Sequence, residues 1–171
     1  TFIKSQKYVY NIHAAYLVDE GEISGFHAYY YPCGDWETPI GAIVFHKLKC
    51  PVSIKAPQGK ELVSIYLLDE PSKAIINSNK NDHEIMNEVW EMACDFLPKL
   101  TRIKENVTII KRREAIPLHE VGRYKQANQL KNESLGKIFF TGDYLSCATV
   151  EGGLRSGRWV ASKISNKEIT F

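Results

Sequence analysis

The feature that most constrains this chain lies near its C-terminus, where a short apolar run stops at a glycine and a helix-spaced pattern follows. Ile138, Phe139 and Phe140 are apolar and Gly142 closes the run, which reads as a buried strand over 137–141. From Val150 the apolar residues fall at Val150, Leu154, Ala161 and Ile164. That is the spacing of a helix over 151–164 with one inward face. A strand-to-helix junction leaves backbone N–H groups free at the positive end of the helix dipole. Gly142 and Asp143 stand at this junction, where an anionic or carbonyl-rich ligand is well received. Gly152, Gly153 and Gly157 remove side chains from the helix start, so another backbone or a flat ring can come close. Tight packing of a helix on a sheet would use the same glycines.

The N-terminal half is patterned for strands. Over 8–18, Tyr8, Tyr10, Ile12, Ala14, Tyr16 and Val18 recur at every second position, the period of a strand with one buried face. Asp19-Glu20-Gly21-Glu22 is a turn, and 23–31 is expected to return as a second strand, pairing with the first as a hairpin. Tyr29, Tyr30 and Tyr31 stand in a row, so tyrosines lie on both faces and at least one ring meets a cleft or solvent. His13 and His27 are either catalytic or, with no partner acid nearby in sequence, polar-face strand residues. A third strand is expected over 41–47, a short fourth over 50–54 and a central, nearly all-apolar fifth over 62–68. Residues 69–80 read as a polar linker.

At Asn81 the period changes from two to 3.6. Asn81 with Glu84 three residues on resembles a capping box, and a helix is expected over 83–97, ended by Pro98. Ile85, Val89, Met92, Ala93, Phe96 and Leu97 form its buried face. A strand over 107–111 and a short helix over 124–131 complete the reading. The fold class is therefore α+β, mainly an antiparallel sheet with a flanking helix, then a C-terminal strand-turn-helix.

Composition excludes several classes. The 171 residues are 44% hydrophobic and 25% charged, the proportions of a globular domain. The net charge of +2 argues for no nucleic acid partner. No apolar run is long enough for a transmembrane segment, and no signal peptide is visible. Cys33, Cys50, Cys94 and Cys147 are widely spaced with no CxxC pair. They read as free thiols of a cytoplasmic protein, with no metal site.

The string from Phe139 to Leu145, followed by Thr149 to Arg158, resembles the last flavin-contacting segment of the FAD-dependent amine oxidase superfamily, which includes the protoporphyrinogen oxidases and phytoene-type desaturases. The stretch 52–60 with the strand after it resembles that superfamily's substrate-domain sheet. Ala115-Ile116-Pro117-Leu118 with Gly122-Arg123 resembles its crossing segment. Many members carry a tryptophan shortly before that element; here Lys111, Arg112 and Arg113 stand there instead.

The resemblance implies that residues 1–106 are part of a substrate-binding domain. Residues 107–171 would be a return segment and the C-terminal part of a Rossmann-like FAD-binding domain. It implies FAD as cofactor, with Gly142, Asp143, Val150, Glu151 and Gly152 as cofactor-binding residues. Asp143 would accept from a ribityl hydroxyl, and the Val150 N–H would donate to the flavin C2 carbonyl. Glu151 serves equally as a first-turn acid that complements the dipole. No catalytic side chain is assigned.

No GxGxxG turn occurs, and the chain begins at Thr1, so it is expected to be the C-terminal part of a longer polypeptide whose N-terminal Rossmann half binds the ADP moiety. The function expected is oxidation of a C–N or C–C bond of a small, apolar or cyclic substrate. The alternative is a stand-alone, non-catalytic α+β domain that binds a ligand or a protein.

Overall fold

The computed structural model describes residues 2–23, 25–32, 37–52, 56–100, 104–132, 136 and 138–165. The chain divides into two compact units, Tyr10–Arg113 and Thr1–Val9 with Glu114–Phe171. The fold is α+β, with a five-stranded antiparallel sheet and flanking helices.

In the first unit, strand β1 (Tyr8–Asp19) follows the alternation read from sequence. Ile12, Ala14, Tyr16 and Val18 are buried. Strands β2 (Tyr29–Tyr30), β3 (Ile40–Phe45), β4 (Lys60–Leu67) and β5 (Glu105–Pro117) join it in the order β2-β3-β4-β1-β5. β4 is central, as its apolar run requires, because both of its edges are paired. Its register sets Tyr66 against His13 and Ser64 against Ala15 on β1, and Ser64 against Val44 on β3.

Helix α3 (Asp82–Phe96) covers one face of the sheet. It starts with the capping box expected: the Asn81 side chain accepts from the Glu84 N–H and the Glu84 carboxylate accepts from the Asn81 N–H. Ile85, Val89, Trp90 and Ala93 enter the core. Each large apolar side chain buried this way contributes about 1.5–3 kcal/mol. Tyr16 ties sheet to helix, its hydroxyl donating to the Met86 carbonyl at 2.6 Å and its ring lying 4.7 Å from Trp90.

Several expectations are corrected here. The hairpin of 8–18 with 23–31 does not form, because β4 and β5 take both edges of β1. Among the described residues of that stretch, only Tyr29–Tyr30 is strand, paired with β3. Ile23 ends a 3-10 turn, Glu20–Ile23, and Gly25 at φ 82° breaks an extended path. The third strand ends at Phe45, where the short helix α1 (His46–Lys49) begins. The buried Glu61 carboxylate accepts from the Lys47 and Leu48 N–H groups at 2.7 and 3.2 Å. The expected fourth strand is not formed at residues 50–52, and 53–54 lie outside the described residues.

The expected linker is instead helix α2 (Asp69–Ile76). Asp69 and Glu70 suit the positive end of its dipole, and Pro71 sits in the first turn, where no N–H is missed. The helix satisfies β1 where the β4 ladder stops. Tyr10 N–H donates to Asp69 Oδ1 at 2.6 Å and Ile12 N–H donates to Ser72 Oγ at 3.0 Å.

The second unit holds helix α4 (Arg123–Asn132), a 3-10 turn Asp143–Leu145 and helix α5 (Val150–Ser165). The buried Arg123 guanidinium stacks 3.5 Å from the Phe2 ring centroid. It donates to Gln6, Ser5 and the Phe2 carbonyl. No ladder forms at Ile138–Phe140, so the strand expected there is absent; Lys137 lies outside the described residues. A strand exists only when a neighbour takes its N–H and C=O groups, and among the described residues none does so.

Candidate functional site

The turn between Phe140 and α5 is built on small residues. Gly142 has φ 155° and ψ 166°, and a Cβ there would lie 2.6 Å from Tyr144 Cδ1. Its N–H donates to the Oγ of buried Ser156 at 3.0 Å, which holds the turn against the second turn of α5. Asp143 opens the 3-10 turn half-buried, its carbonyl accepting from Ser146 N–H at 3.0 Å. The Tyr144 hydroxyl is pushed up from its usual pKa by burial, then by Tyr8 and Asp143.

Thr149 caps α5. Its Oγ1 accepts from Gly152 N–H at 3.1 Å and its carbonyl from Gly153 N–H at 3.1 Å. The N–H groups of Val150 and Glu151 have no partner among the described residues. Both residues are exposed and stand at the positive end of the helix. Glu151 is engaged with Arg155 one turn on, at 2.6 Å. The turn therefore brings together Gly142, Asp143, Val150, Glu151 and Gly152 within one loop and the helix start.

One part of the sequence reading changes. The apolar stripe of α5 does not face inward: Val150, Leu154 and Ile164 are 84%, 63% and 64% exposed. The helix instead buries Gly152 and Ser156. Gly152 is small for a local reason, since a Cβ on it would lie 2.7 Å from the Cys147 carbonyl carbon and 2.8 Å from its nitrogen. Gly153 has open space where its Cβ would stand. Thr149 and Ser156 were not singled out from sequence, although a threonine before a helical pattern is an N-cap signal.

Chemistry-bearing residues also gather on the sheet. His13 Nε2 lies 2.9 Å from Ser64 Oγ, and His46 Nε2 lies 2.7 Å from the same oxygen. The His13 ring stacks on Tyr66 at 4.4 Å. Burial, then Arg112 and His46, lowers the His13 pKa; burial, then Lys49, lowers that of His46 against an opposing pull from Glu61. His27 is exposed and joins no such group. Tyr29 and Tyr31 are exposed and stacked, with Lys49 Nζ 5.3 Å from the Tyr29 ring. Ser64 lies 51 residues from His13 and 18 from His46, so no local motif could announce the cluster.

No protein-family model matches the sequence, and no curated protein matches it. Solved structures do. A putative protoporphyrinogen oxidase from Exiguobacterium sp. 255-15 matches with a TM-score of 0.72 and 13% identity, over 96% of this chain and 36% of that one. This chain shares the fold of the matched part. Reduced UDP-galactopyranose mutase matches with a TM-score of 0.67 and 9% identity, over 98% of this chain and 36% of that one. Wild-type putrescine oxidase bound to putrescine matches with a TM-score of 0.67 and 14% identity, over 98% and 37%. The chain thus spans little more than a third of the length of each of these three proteins. Among the described residues no helix is long and apolar enough to cross a membrane, and no group of three or more His, Cys, Asp or Glu is placed to hold a metal.

Proposed function

We propose that this chain is the C-terminal part of an FAD-dependent oxidoreductase that oxidises a C–N or C–C bond of an apolar or cyclic small molecule. The observation that carries the reading is the start of α5. Two unpartnered amides, of Val150 and Glu151, stand at a helix N-terminus capped by Thr149, beside the opening at Gly153. Residues 139–158, which resemble the superfamily's flavin segment, fold into this start and the turn before it. The donor set fits the group, since amides at a positive dipole end suit the carbonyl edge of a flavin.

When bound, flavin supplies a two-electron acceptor. The chain's own residues bind and orient. The Val150 N–H donates to a flavin carbonyl, and the helix dipole favours negative charge gathering there. The Asp143 carboxylate accepts from a ribityl hydroxyl. Gly153 keeps a side chain out of the approach. Ile138, Phe139, Val150 and Leu154 are exposed apolar residues, of the kind the rest of a Rossmann-like domain would cover.

The test is purification of the full-length polypeptide. The expected result is a yellow protein with stoichiometric absorbance near about 450 nm, the usual band of oxidised flavin. A colourless full-length protein that also fails to take up added FAD would overturn the reading. The isolated chain is expected to bind FAD weakly and not to turn over.

A further inference from the structure

We propose that His13, Ser64 and His46 form a proton relay on the face of the sheet opposite α3. Ile12, Ala14 and Tyr16 of β1 enter the core, so His13 alternates to the other face. There it meets Ser64 of β4 and His46, the first residue of α1. Ser64 is buried, so its hydroxyl depends on these two rings rather than on water.

The geometry sets the proton pattern. Both contacts are made through Nε2, at 2.9 and 2.7 Å. The serine oxygen carries one proton, which it can donate to one ring while accepting from the other. Both rings are neutral near pH 7, so one carries its proton on Nε2 and the other on Nδ1. The first ring then presents a bare Nδ1 and the second an Nδ1–H. Neither Nδ1 has a hydrogen-bond partner among the described residues.

A proton arriving at the bare Nδ1 drives three linked shifts. The Nε2 proton of that ring passes to Ser64 Oγ, the Oγ proton passes to the other Nε2, and the far Nδ1 releases its own. One proton enters and one leaves; no electron pair changes owner, and the two tautomers exchange. Burial, ahead of the neighbouring charges, keeps the excess proton from resting on either ring. Arg112 of β5 and Lys49 of α1 disfavour an imidazolium, Glu61 of β4 favours one at His46, and Tyr66 of β4 covers His13. The relay stands on these contacts alone and does not rest on the flavin reading.

The test is long-range 1H–15N NMR of the imidazoles through a pH titration, with His13→Gln and His46→Gln to assign the signals. The expected result is opposite tautomers for the two rings and two separated titration steps, because a second proton would leave both Nε2–H groups facing one oxygen. In Ser64→Ala the two tautomers become independent and the steps draw together. Two rings of the same tautomer in the unsubstituted protein would overturn the relay without need of a variant. Unchanged tautomers and titration in Ser64→Ala would do the same. A full-length protein without flavin but with opposite, Ser64-linked tautomers would remove the flavin reading and leave the relay standing.

Discussion

The backbone amide of Gly142 donates to the hydroxyl of Ser156, 3.0 Å away and fourteen residues on. This bond joins the glycine turn to the helix whose start carries the free amides. Ser156 is buried, so its loss leaves a donor that water cannot easily reach. Ser156→Ala should lower stability by about 1–3 kcal/mol, the cost of an unsatisfied buried group. Urea unfolding of the variant beside the unsubstituted chain measures it.

Gly152 and Gly153 are adjacent and should behave in opposite ways. A side chain on Gly152 meets the Cys147 backbone, which cannot rotate away. Gly152→Val should therefore destabilise the apo-chain by about 1–3 kcal/mol or more. Gly153→Ala has open space and should stabilise the helix by about 0.5–1 kcal/mol. In the full-length protein the same Gly153→Ala should weaken FAD binding if flavin lies against that opening. Thermal melts of the apo-chain and FAD titrations of the full-length variants separate the two effects.

Asp143→Ala in the full-length protein should remove a charge-assisted hydrogen bond worth about 1.5–3 kcal/mol. The FAD dissociation constant should rise roughly tenfold to a hundredfold. An unchanged constant, measured on folded apo-protein, would show that Asp143 serves only the turn.

Stability should fall on mild acidification. His13 and His46 both have folded pKa values below the ordinary 6.5, chiefly through burial. A group depressed in this way binds more protons when unfolded, so its contribution is fully present above the unfolded pKa. It is lost as pH falls from about 6.5 toward the folded value. Unfolding free energy measured from pH 8 downward should decline in that window, and His13→Gln should flatten the decline. A flat profile in the unsubstituted chain would contradict the burial of the two rings.

The elements legible in the sequence were those in which a local pattern and its physical cause coincide. Alternation over 8–18 specifies β1 because a strand turns every second side chain to one face. The nearly all-apolar run of β4 predicts its central place, since a strand inside the sheet is covered on both faces. Asn81 and Glu84 announce α3 because the capping box is closed within four residues. The glycines and Asp143 mark the turn before α5 for the same reason.

Tertiary structure decided everything that depends on partners distant in the chain. Whether 23–31 pairs with β1 was settled by competition from β4 and β5 for its two edges. Whether Ile138–Phe140 is a strand depends on a neighbour to pair with, and among the described residues none does so. The exposure of Leu154 and Ile164, against the burial of Gly152 and Ser156, follows from which face of α5 meets the turn. Helical spacing alone cannot choose between those faces. The meeting of His13, Ser64 and His46 lies furthest from sequence, because strand register and the end of β3 bring together three residues with no common period. Local physics writes a residue's conformation into its neighbours, whereas the packing of strands and helices decides which residues meet.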